Sequence, residues 1–135
     1  MTDPDSQRLI LVIDDSLEYL QFMEFLLSSE GFAVTIKQSI EMLQSELARQ
    51  RPHLIITDVR MPGLDPFAVL KCLRDDPRTA TIPTLLCTGA VNEVSEYAEH
   101  LAKIGVEVLL KPFDVEALLD KVSLLLAANE AVPTV

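Results

Sequence analysis

Residues 55–63 read IITDVRMPG, a short apolar run that ends in a carboxylate and a loop. The Met-Pro-Gly sequence that closes it can continue neither a strand nor a helix. We therefore interpret residues 54–57 as a buried strand and place Asp58 at its C-terminal end. Open α/β sheets bind their ligands at this end of their strands. Alone the signal is weak, because Asp is also a common first residue of loops.

Three more apolar runs end in a polar or charged side chain. They give way to Asp14-Asp15, to Thr88 and to Lys111. Apolar runs without alternating polar residues are typical of parallel strands that are buried on both faces. The carboxyl ends of parallel strands meet at one edge of their sheet, so we expect all four sites to lie close together.

Amphipathic segments separate these apolar runs. The sequence predicts strands at 9–13, 32–36, 54–57, 82–87 and 106–110. It predicts helices at 17–30, 39–50, 66–74, 91–104 and from 115 onward. Strict alternation predicts an α/β fold with a single five-stranded parallel sheet in the order 2-1-3-4-5 and helices on both faces, flavodoxin-like and doubly wound. The strand order reverses between the first and third strands, which is where Asp14-Asp15 and Asp58 would meet.

The first helix has an apolar excess that makes its buried face harder to assign. Helical spacing predicts a core-facing stripe of Tyr19, Phe22, Met23, Leu26 and Leu27, with Ser16 as N-cap and Gly31 just past the C-terminus. This leaves three apolar side chains at the flanks or outside, namely Leu17, Leu20 and Phe25. They are either ordinary exposed residues or a docking surface.

Length and charge limit the classes of function. The chain has 135 residues, which predicts one domain at 9–128, a flexible N-terminal tail at 1–8, and a C-terminal tail or the start of a linker at 129–135. The net charge of −10 argues against direct binding to nucleic acid and to anionic membranes. No apolar stretch reaches the roughly 18 residues of a membrane span, so we expect a cytoplasmic protein. Cys72 and Cys87 are too few for a disulfide framework, and Cys87 is expected to be a small buried hydrophobe.

Clustered carboxylates at one sheet edge have a chemical consequence. Three of them would repel one another and push at least one pKa upward, unless a hard divalent cation such as Mg²⁺ neutralised them. Thr88 and Lys111 would bring a hydroxyl and an ammonium group to the same edge. Such groups can stabilise a phosphoryl group in transfer, and Asp is an established covalent acceptor. The residues predict a Mg²⁺-dependent aspartyl-phosphate site.

These motifs resemble those of a response-regulator receiver domain of two-component signalling, of the single-domain, chemotaxis-receiver-like kind. They are Asp14-Asp15, Asp58 with Met61-Pro62, Thr88-Gly89 and Lys111-Pro112-Phe113. No single motif is specific, but all of them in order, each at a strand end, are highly specific.

The resemblance implies a set of metal ligands. Asp15 would ligate Mg²⁺ directly, Asp14 would act mainly through water, and the carbonyl of Arg60 would be a further ligand. Asp58 would contact the metal and would also be the phosphoacceptor.

The resemblance further implies that Thr88 and Lys111 contact the phosphoryl oxygens, and that a cis peptide joins Lys111 to Pro112. Among the positions that depart from the family pattern, Val108 stands where an aromatic side chain is common, three residues before the lysine. The aromatic readout is then either lost or taken over by another side chain such as Tyr97.

The implied function is a signalling switch. A histidine kinase or phosphotransfer protein would phosphorylate the chain, which would then present an altered surface to a downstream protein. It would catalyse only its own phosphotransfer and autodephosphorylation. An alternative is a degenerate receiver that acts as a phosphorylation-independent scaffold, although the intact motif set argues against it.

A stand-alone enzyme of similar architecture is a third reading. A haloacid-dehalogenase-type phosphatase needs an Asp-x-Asp pair, and a flavodoxin needs a Ser/Thr/Gly-rich phosphate loop; the first strand is followed by neither.

Overall fold

The computed structural model describes residues 8–58, 68–89, 91–96 and 98–131. The strands in these residues are Leu9–Ile13 (β1), Ala33–Lys37 (β2), Leu54–Thr57 (β3), Thr84–Thr88 (β4) and Val106–Leu110 (β5). The helical segments are Leu17–Ser29 (α1), Ile40–Arg49 (α2), Ala68–Asp75 (α3), Val91–Glu96 (α4), Ala98–Lys103 (α5) and Val115–Ala131 (α6).

The strands form one parallel sheet in the order β2-β1-β3-β4-β5. At the centre, Ile10 pairs with Val34 on one side and with Leu54 on the other. This confirms the predicted fold class, strand order and switch point between β1 and β3. Ligand sites of such sheets lie at this switch point, beyond the carboxyl ends of the strands.

The sheet is buried on both faces, which explains why its central strands are continuous apolar runs. Ile10 and Val12 join the core cluster that includes the buried faces of α1 and α6. Leu11 and Ile13, which alternate with them, join a second cluster with side chains of α3. Successive residues of β1 thus pack against helices on opposite faces, and no residue of this strand is exposed.

Two strands begin later than predicted. β2 begins at Ala33 and β4 at Thr84, whereas we expected starts at residues 32 and 82. The shift of β4 has a physical reason, because Pro83 has no N–H to donate to a neighbouring strand. At its other end, β4 continues through Thr88, one residue beyond the predicted limit of 87.

The helix limits agree with the predicted ones except beside the residues that the structure does not describe and at the end of the chain. The predicted helix at 91–104 corresponds to α4 and α5, which lie on either side of Tyr97. Tyr97 and the predicted start of α3 at Pro66 both lie outside the described residues. α6 continues to Ala131, three residues beyond the predicted domain limit of 128. Among the described helices, none has the length and apolar character needed to cross a membrane.

The buried face of α1 was predicted wrongly at two positions. The fully buried side chains of this helix are Leu20, Met23 and Leu27. Phe22, which we placed in the core, is 48% exposed, whereas Leu20, which we placed outside, is 0% exposed. Leu17 and Phe25 are exposed as predicted, at 47% and 74%. Because apolar residues occur on nearly every side of this helix, their spacing does not identify a unique buried face.

Both ends of α1 are formed as the sequence predicts. The Ser16 hydroxyl accepts a hydrogen bond from the Tyr19 N–H at 3.2 Å, which satisfies one of the free amides at the helix start. Gly31, just after the C-cap, has φ of 94°. This left-handed conformation favours glycine, since a side chain would be strained there.

The two cysteines differ in exposure, which gives a direct test of the packing. Cys87 on β4 is 1% exposed and burial raises the pKa of its thiol to about 12, whereas Cys72 on α3 is exposed. We expect a thiol reagent at pH 8 to titrate only Cys72 rapidly in the native protein, and both cysteines in urea. Cys72→Ser should leave no rapidly reacting thiol. Equal rates for both thiols in the native protein would contradict the placement of β4 in the core.

Candidate functional site

Two carboxylates lie buried at the C-terminal edge of the sheet. Asp14 follows β1 and Asp58 follows β3, and their exposures are 3% and 9%. β1 and β3 are neighbours in the sheet, so the topology places the two side chains at the same edge. The Asp14 N–H donates to the Lys37 carbonyl at 3.2 Å, which holds the end of β1 against the end of β2.

Lys111 follows β5, the edge strand of the sheet, and its side chain reaches both carboxylates. Its Nζ lies 3.2 Å from Asp14 Oδ2 and 3.1 Å from Asp58 Oδ2. β4 lies between β3 and β5, so the lysine side chain has to reach across that strand. Its backbone N–H donates to the Thr88 carbonyl at 2.9 Å, which fixes where the side chain begins. One ammonium group therefore links the ends of β1, β3 and β5.

The electrostatics of this cluster favour additional positive charge. Burial raises the pKa of Asp14, and the Ser16 N–H and the Lys111 ammonium offset that effect only in part. Burial also acts to lower the pKa of Lys111, but Asp14 and Asp58 outweigh it and hold that pKa above its ordinary value. Lys111 is therefore charged at neutral pH. With both carboxylates ionised, the three groups together carry one net negative charge.

The loop after Asp14 is organised by Ser16. The Ser16 N–H donates to Asp14 Oδ1 at 3.0 Å, and its hydroxyl caps α1 as described above. Ser16 therefore fixes the orientation of a buried carboxylate and the start of the helix at the same time. This local arrangement needs a short polar side chain between the strand and the helix, which the sequence Asp14-Asp15-Ser16 supplies.

Thr88 ends the strand next to β3, and Asp15 follows Asp14 in the chain, but the two side chains differ in exposure. Thr88 is fully buried at the end of β4, the strand between those that lead to Asp58 and Lys111. Asp15 is exposed, and its carbonyl accepts a hydrogen bond from Gln38 Nε2 at 3.4 Å.

Like Tyr97, two predicted features near Asp58 lie outside the described residues: Arg60, with the predicted metal-binding carbonyl, and the Met61-Pro62 motif. The predicted cis peptide between Lys111 and Pro112 is present. Val108, where the family commonly has an aromatic, is half-buried against an aliphatic cluster that consists of Leu70, Leu86, Leu101 and Val106.

The carboxylates suit a hard metal ion, although they do not form a complete cage. Among the described residues, no group of three His, Cys, Asp or Glu side chains is arranged to hold a metal. Asp14 and Asp58 nevertheless already share one cation, the Lys111 ammonium. Carboxylate oxygens are the ligands that Mg²⁺ prefers, and this ion usually keeps several waters. The donor set therefore fits Mg²⁺, with the exposed Asp15 next to Asp14 in the chain.

The sequence analysis missed one member of the site. The centroid of the Tyr19 ring lies 4.0 Å from Lys111 Nζ, so the ammonium group sits over the aromatic face. Spacing had placed Tyr19 on the inner side of α1, but without a partner. Its position in the first turn of the helix that follows Asp14 is the signal that could have brought it into the site.

Comparisons with known proteins agree with this geometry. Residues 10–123 match the model of the response regulator receiver domain. The chain is 34% identical over 126 residues to the DNA-binding dual master transcriptional regulator RpaA of Synechocystis, and the match covers 92% of this chain but 51% of RpaA. This chain therefore spans about half the length of that relative.

Solved structures show the same fold. The chemotaxis response regulator CheY4 of Vibrio cholerae superposes with a TM-score of 0.76 at 25% identity, covering 89% of this chain and 99% of CheY4. The receiver domain of the sensor histidine kinase PA1611 of Pseudomonas aeruginosa superposes with a TM-score of 0.74 at 24% identity, covering 90% of this chain and 99% of that domain. That domain was solved with a magnesium ion in its active site cleft. With the family match across most of its length, the chain belongs to the response-regulator receiver domains of two-component systems.

Proposed function

We propose that this chain is a phosphorylation-activated switch whose acceptor is Asp58. A histidine kinase or phosphotransfer protein would supply the phosphoryl group in a Mg²⁺-dependent reaction. The observation that supports this best is the contact of Lys111 Nζ with both Asp14 and Asp58 at the carboxyl edge of the sheet. It places a permanent cation beside a buried nucleophilic carboxylate, where charge develops during phosphoryl transfer.

The transfer step needs little covalent chemistry from the protein. A carboxylate oxygen of Asp58 attacks phosphorus, and the bond from phosphorus to the donor breaks as the new P–O bond forms. The bonding electrons leave with the donor, which is a histidine nitrogen or, with acetyl phosphate, the acetate oxygen. Lys111 would pair with the phosphoryl oxygens, and the Thr88 hydroxyl would donate a hydrogen bond to them. Catalysis is then mostly positioning and electrostatics.

Asp14, Asp15, Asp58 and the carbonyl of Arg60 would hold the Mg²⁺ ion. When bound, the ion would neutralise the charge of the carboxylates and of the phosphoryl oxygens. The net negative charge of the Asp14, Asp58 and Lys111 cluster supports this assignment, as does the magnesium ion in the PA1611 receiver domain.

Phosphorylation would change the surface through the same contacts. A phosphoryl group brings about −1.5 to −2 of charge and three strong acceptor oxygens. Lys111 would exchange its bond to the Asp58 carboxylate for bonds to that group, and Thr88 would be drawn toward it. Because the Lys111 N–H is bonded to the Thr88 carbonyl, the ends of β4 and β5 would move together, and a downstream protein would detect the changed surface.

The acceptor assignment predicts that a small phosphodonor labels one side chain. Acetyl phosphate with Mg²⁺ should add one phosphate to wild type and none to Asp58→Asn, as measured by intact mass. Asp75→Asn, which removes an exposed carboxylate from the end of α3, is the matched control and should be labelled like wild type. EDTA should abolish labelling. Equal labelling of wild type and Asp58→Asn would contradict the assignment. No labelling of wild type would favour a phosphorylation-independent scaffold.

The role of Lys111 predicts that metal binding and signalling can be separated. In Lys111→Ala the competing ammonium group is gone, so Mg²⁺ should bind at least as tightly as in wild type, as measured by calorimetry. The amide NMR shifts that phosphorylation causes in wild-type β5 should be absent in the variant. A loss of Mg²⁺ affinity as large as that in Asp15→Ala would show that Lys111 supports the metal site instead.

The exposed apolar side chains of α1 fit a docking surface for the phosphodonor protein. Leu17, Phe22 and Phe25 are 47%, 48% and 74% exposed, and the helix begins just after Asp14 and Asp15. A donor that delivers a phosphoryl group to Asp58 must cover this edge of the sheet. Leu20, which sequence spacing placed outside the core, is buried and cannot contribute.

Phe25→Ala should therefore slow transfer from the cognate kinase about tenfold, because apolar anchors carry much of the energy of an interface. Labelling by acetyl phosphate should not change. Met42→Ala on α2, where Met42 is 47% exposed, is the control and should leave both rates unchanged. A kinase that phosphorylates Phe25→Ala at the wild-type rate would place docking elsewhere.

A further inference from the structure

Lys111 is held on three sides. Two of its neighbours are the carboxylates of Asp14 and Asp58, and the third is the face of the Tyr19 ring, with its centroid 4.0 Å from Nζ. An ammonium group has three N–H donors, and an aromatic face attracts it without accepting a conventional hydrogen bond. We propose that Tyr19 is a positioning residue whose ring holds the Lys111 ammonium against Asp14 and Asp58, ready for the incoming phosphoryl group. This inference rests on the proposed function of Asp58.

The backbone and the side chain of Tyr19 are each held in place. The Tyr19 N–H donates to the Ser16 hydroxyl at 3.2 Å, and the Ser16 N–H donates to Asp14 Oδ1 at 3.0 Å. The side chain is partly buried and packs against the core cluster beneath α1 and α6. The loop that orients Asp14 therefore also places the ring under Lys111. The short segment from Asp14 to Tyr19 therefore positions both the Asp14 carboxylate and the Lys111 ammonium, which Asp14 and Asp58 share.

The contact matters because Lys111 is a long side chain at the edge of the protein. Its side chain is 27% exposed, and its four methylene groups give it many alternative rotamers that lead into solvent. Holding such a group in place before reaction lowers the entropy lost at the transition state. Without the ring, the ammonium would keep its two carboxylates in the resting state. Once the phosphoryl group displaced the ammonium from Asp58, only Asp14 would hold it in place.

The ring and not the hydroxyl is the acting part of Tyr19. The hydroxyl oxygen is buried and has no hydrogen-bond partner among the described residues, so it does not bind Lys111. Burial, followed by the neighbouring Cys87 thiol, raises the pKa of Tyr19 above its ordinary value. The side chain is therefore neutral and does not compete with the carboxylates as an anion. Phenylalanine should consequently replace tyrosine without loss.

The test compares Tyr19→Leu, which removes the ring, with Tyr19→Phe, which keeps it. At saturating Mg²⁺, labelling by acetyl phosphate should be about fivefold slower in Tyr19→Leu, equal to about 1 kcal/mol of barrier, and unchanged in Tyr19→Phe. Mg²⁺ affinity should be the same in all variants. The matched control is Phe32→Leu, an equal loss of a ring that packs against the same core cluster just before β2, which should lower stability without slowing labelling.

A spectroscopic measurement locates Lys111 independently of phosphorylation. In the resting protein, the ring current of Tyr19 should shift the ε-methylene protons of Lys111 upfield. The shift should persist in Tyr19→Phe and disappear in Tyr19→Leu.

The outcomes separate the inference from the proposed function. Labelling of Tyr19→Leu at the wild-type rate, or slowing of Phe32→Leu to the same extent, would overturn a positioning role. Equal slowing of Tyr19→Phe and Tyr19→Leu would assign the effect to the hydroxyl and would overturn the role of the ring. Failure of wild type to label would instead overturn the proposed function, while the ring-current shift would still report where Lys111 lies.

Discussion

Two buried carboxylates that face one ammonium group set the conditions for the rest of this site. Asp14 and Asp58 are almost completely removed from water, and burial alone would drive such groups toward their neutral forms. Lys111 supplies the compensating charge at 3.2 and 3.1 Å. Each group therefore depends on the others. The lysine offsets the repulsion between the two carboxylates, and without the carboxylates a half-buried amine would tend to lose its proton. The parallel sheet makes this arrangement possible because it gathers the ends of β1, β3 and β5 at one edge.

The fold could be predicted from the sequence because its strands carry an unambiguous pattern. β1 and β3 are short apolar runs, which is the sequence pattern expected of strands that are buried on both faces. The face of α1 could not be predicted in the same way. Leu20 and Phe22 are both apolar, and only the packing of the helix against the sheet decides that the first is buried and the second exposed. The start of β4 was also misjudged, since the missing N–H of Pro83 outweighed the apolar character of Ile82.

The members of the site could be predicted more readily than the contacts between them. Asp14, Asp58 and Lys111 stand out because each one ends an apolar run. Their distances depend on side-chain directions that no spacing rule supplies, so the placement of the Lys111 ammonium between Asp14 and Asp58 becomes visible only in the structure. Tyr19 was missed for a related reason: an aromatic residue on the inner side of a helix normally indicates core packing. Its position in the first turn of α1 puts it near Asp14, but the linear sequence does not show that its ring lies against an amine 92 residues later.

The charge balance of the site explains why a neutral ring suits the third side of Lys111. A third carboxylate there would hold the ammonium more strongly, but it would add negative charge where the phosphoryl group of the proposed reaction would approach. It would also compete with that group for the same cation. An aromatic face attracts the ammonium through its quadrupole, carries no net charge, and leaves the N–H donors available. In the proposed reaction, Tyr19 would hold Lys111 in the resting state and leave its N–H donors available to the phosphoryl oxygens. That combination suits the proposed reaction, in which the cation would be in place before transfer and would change partners during it.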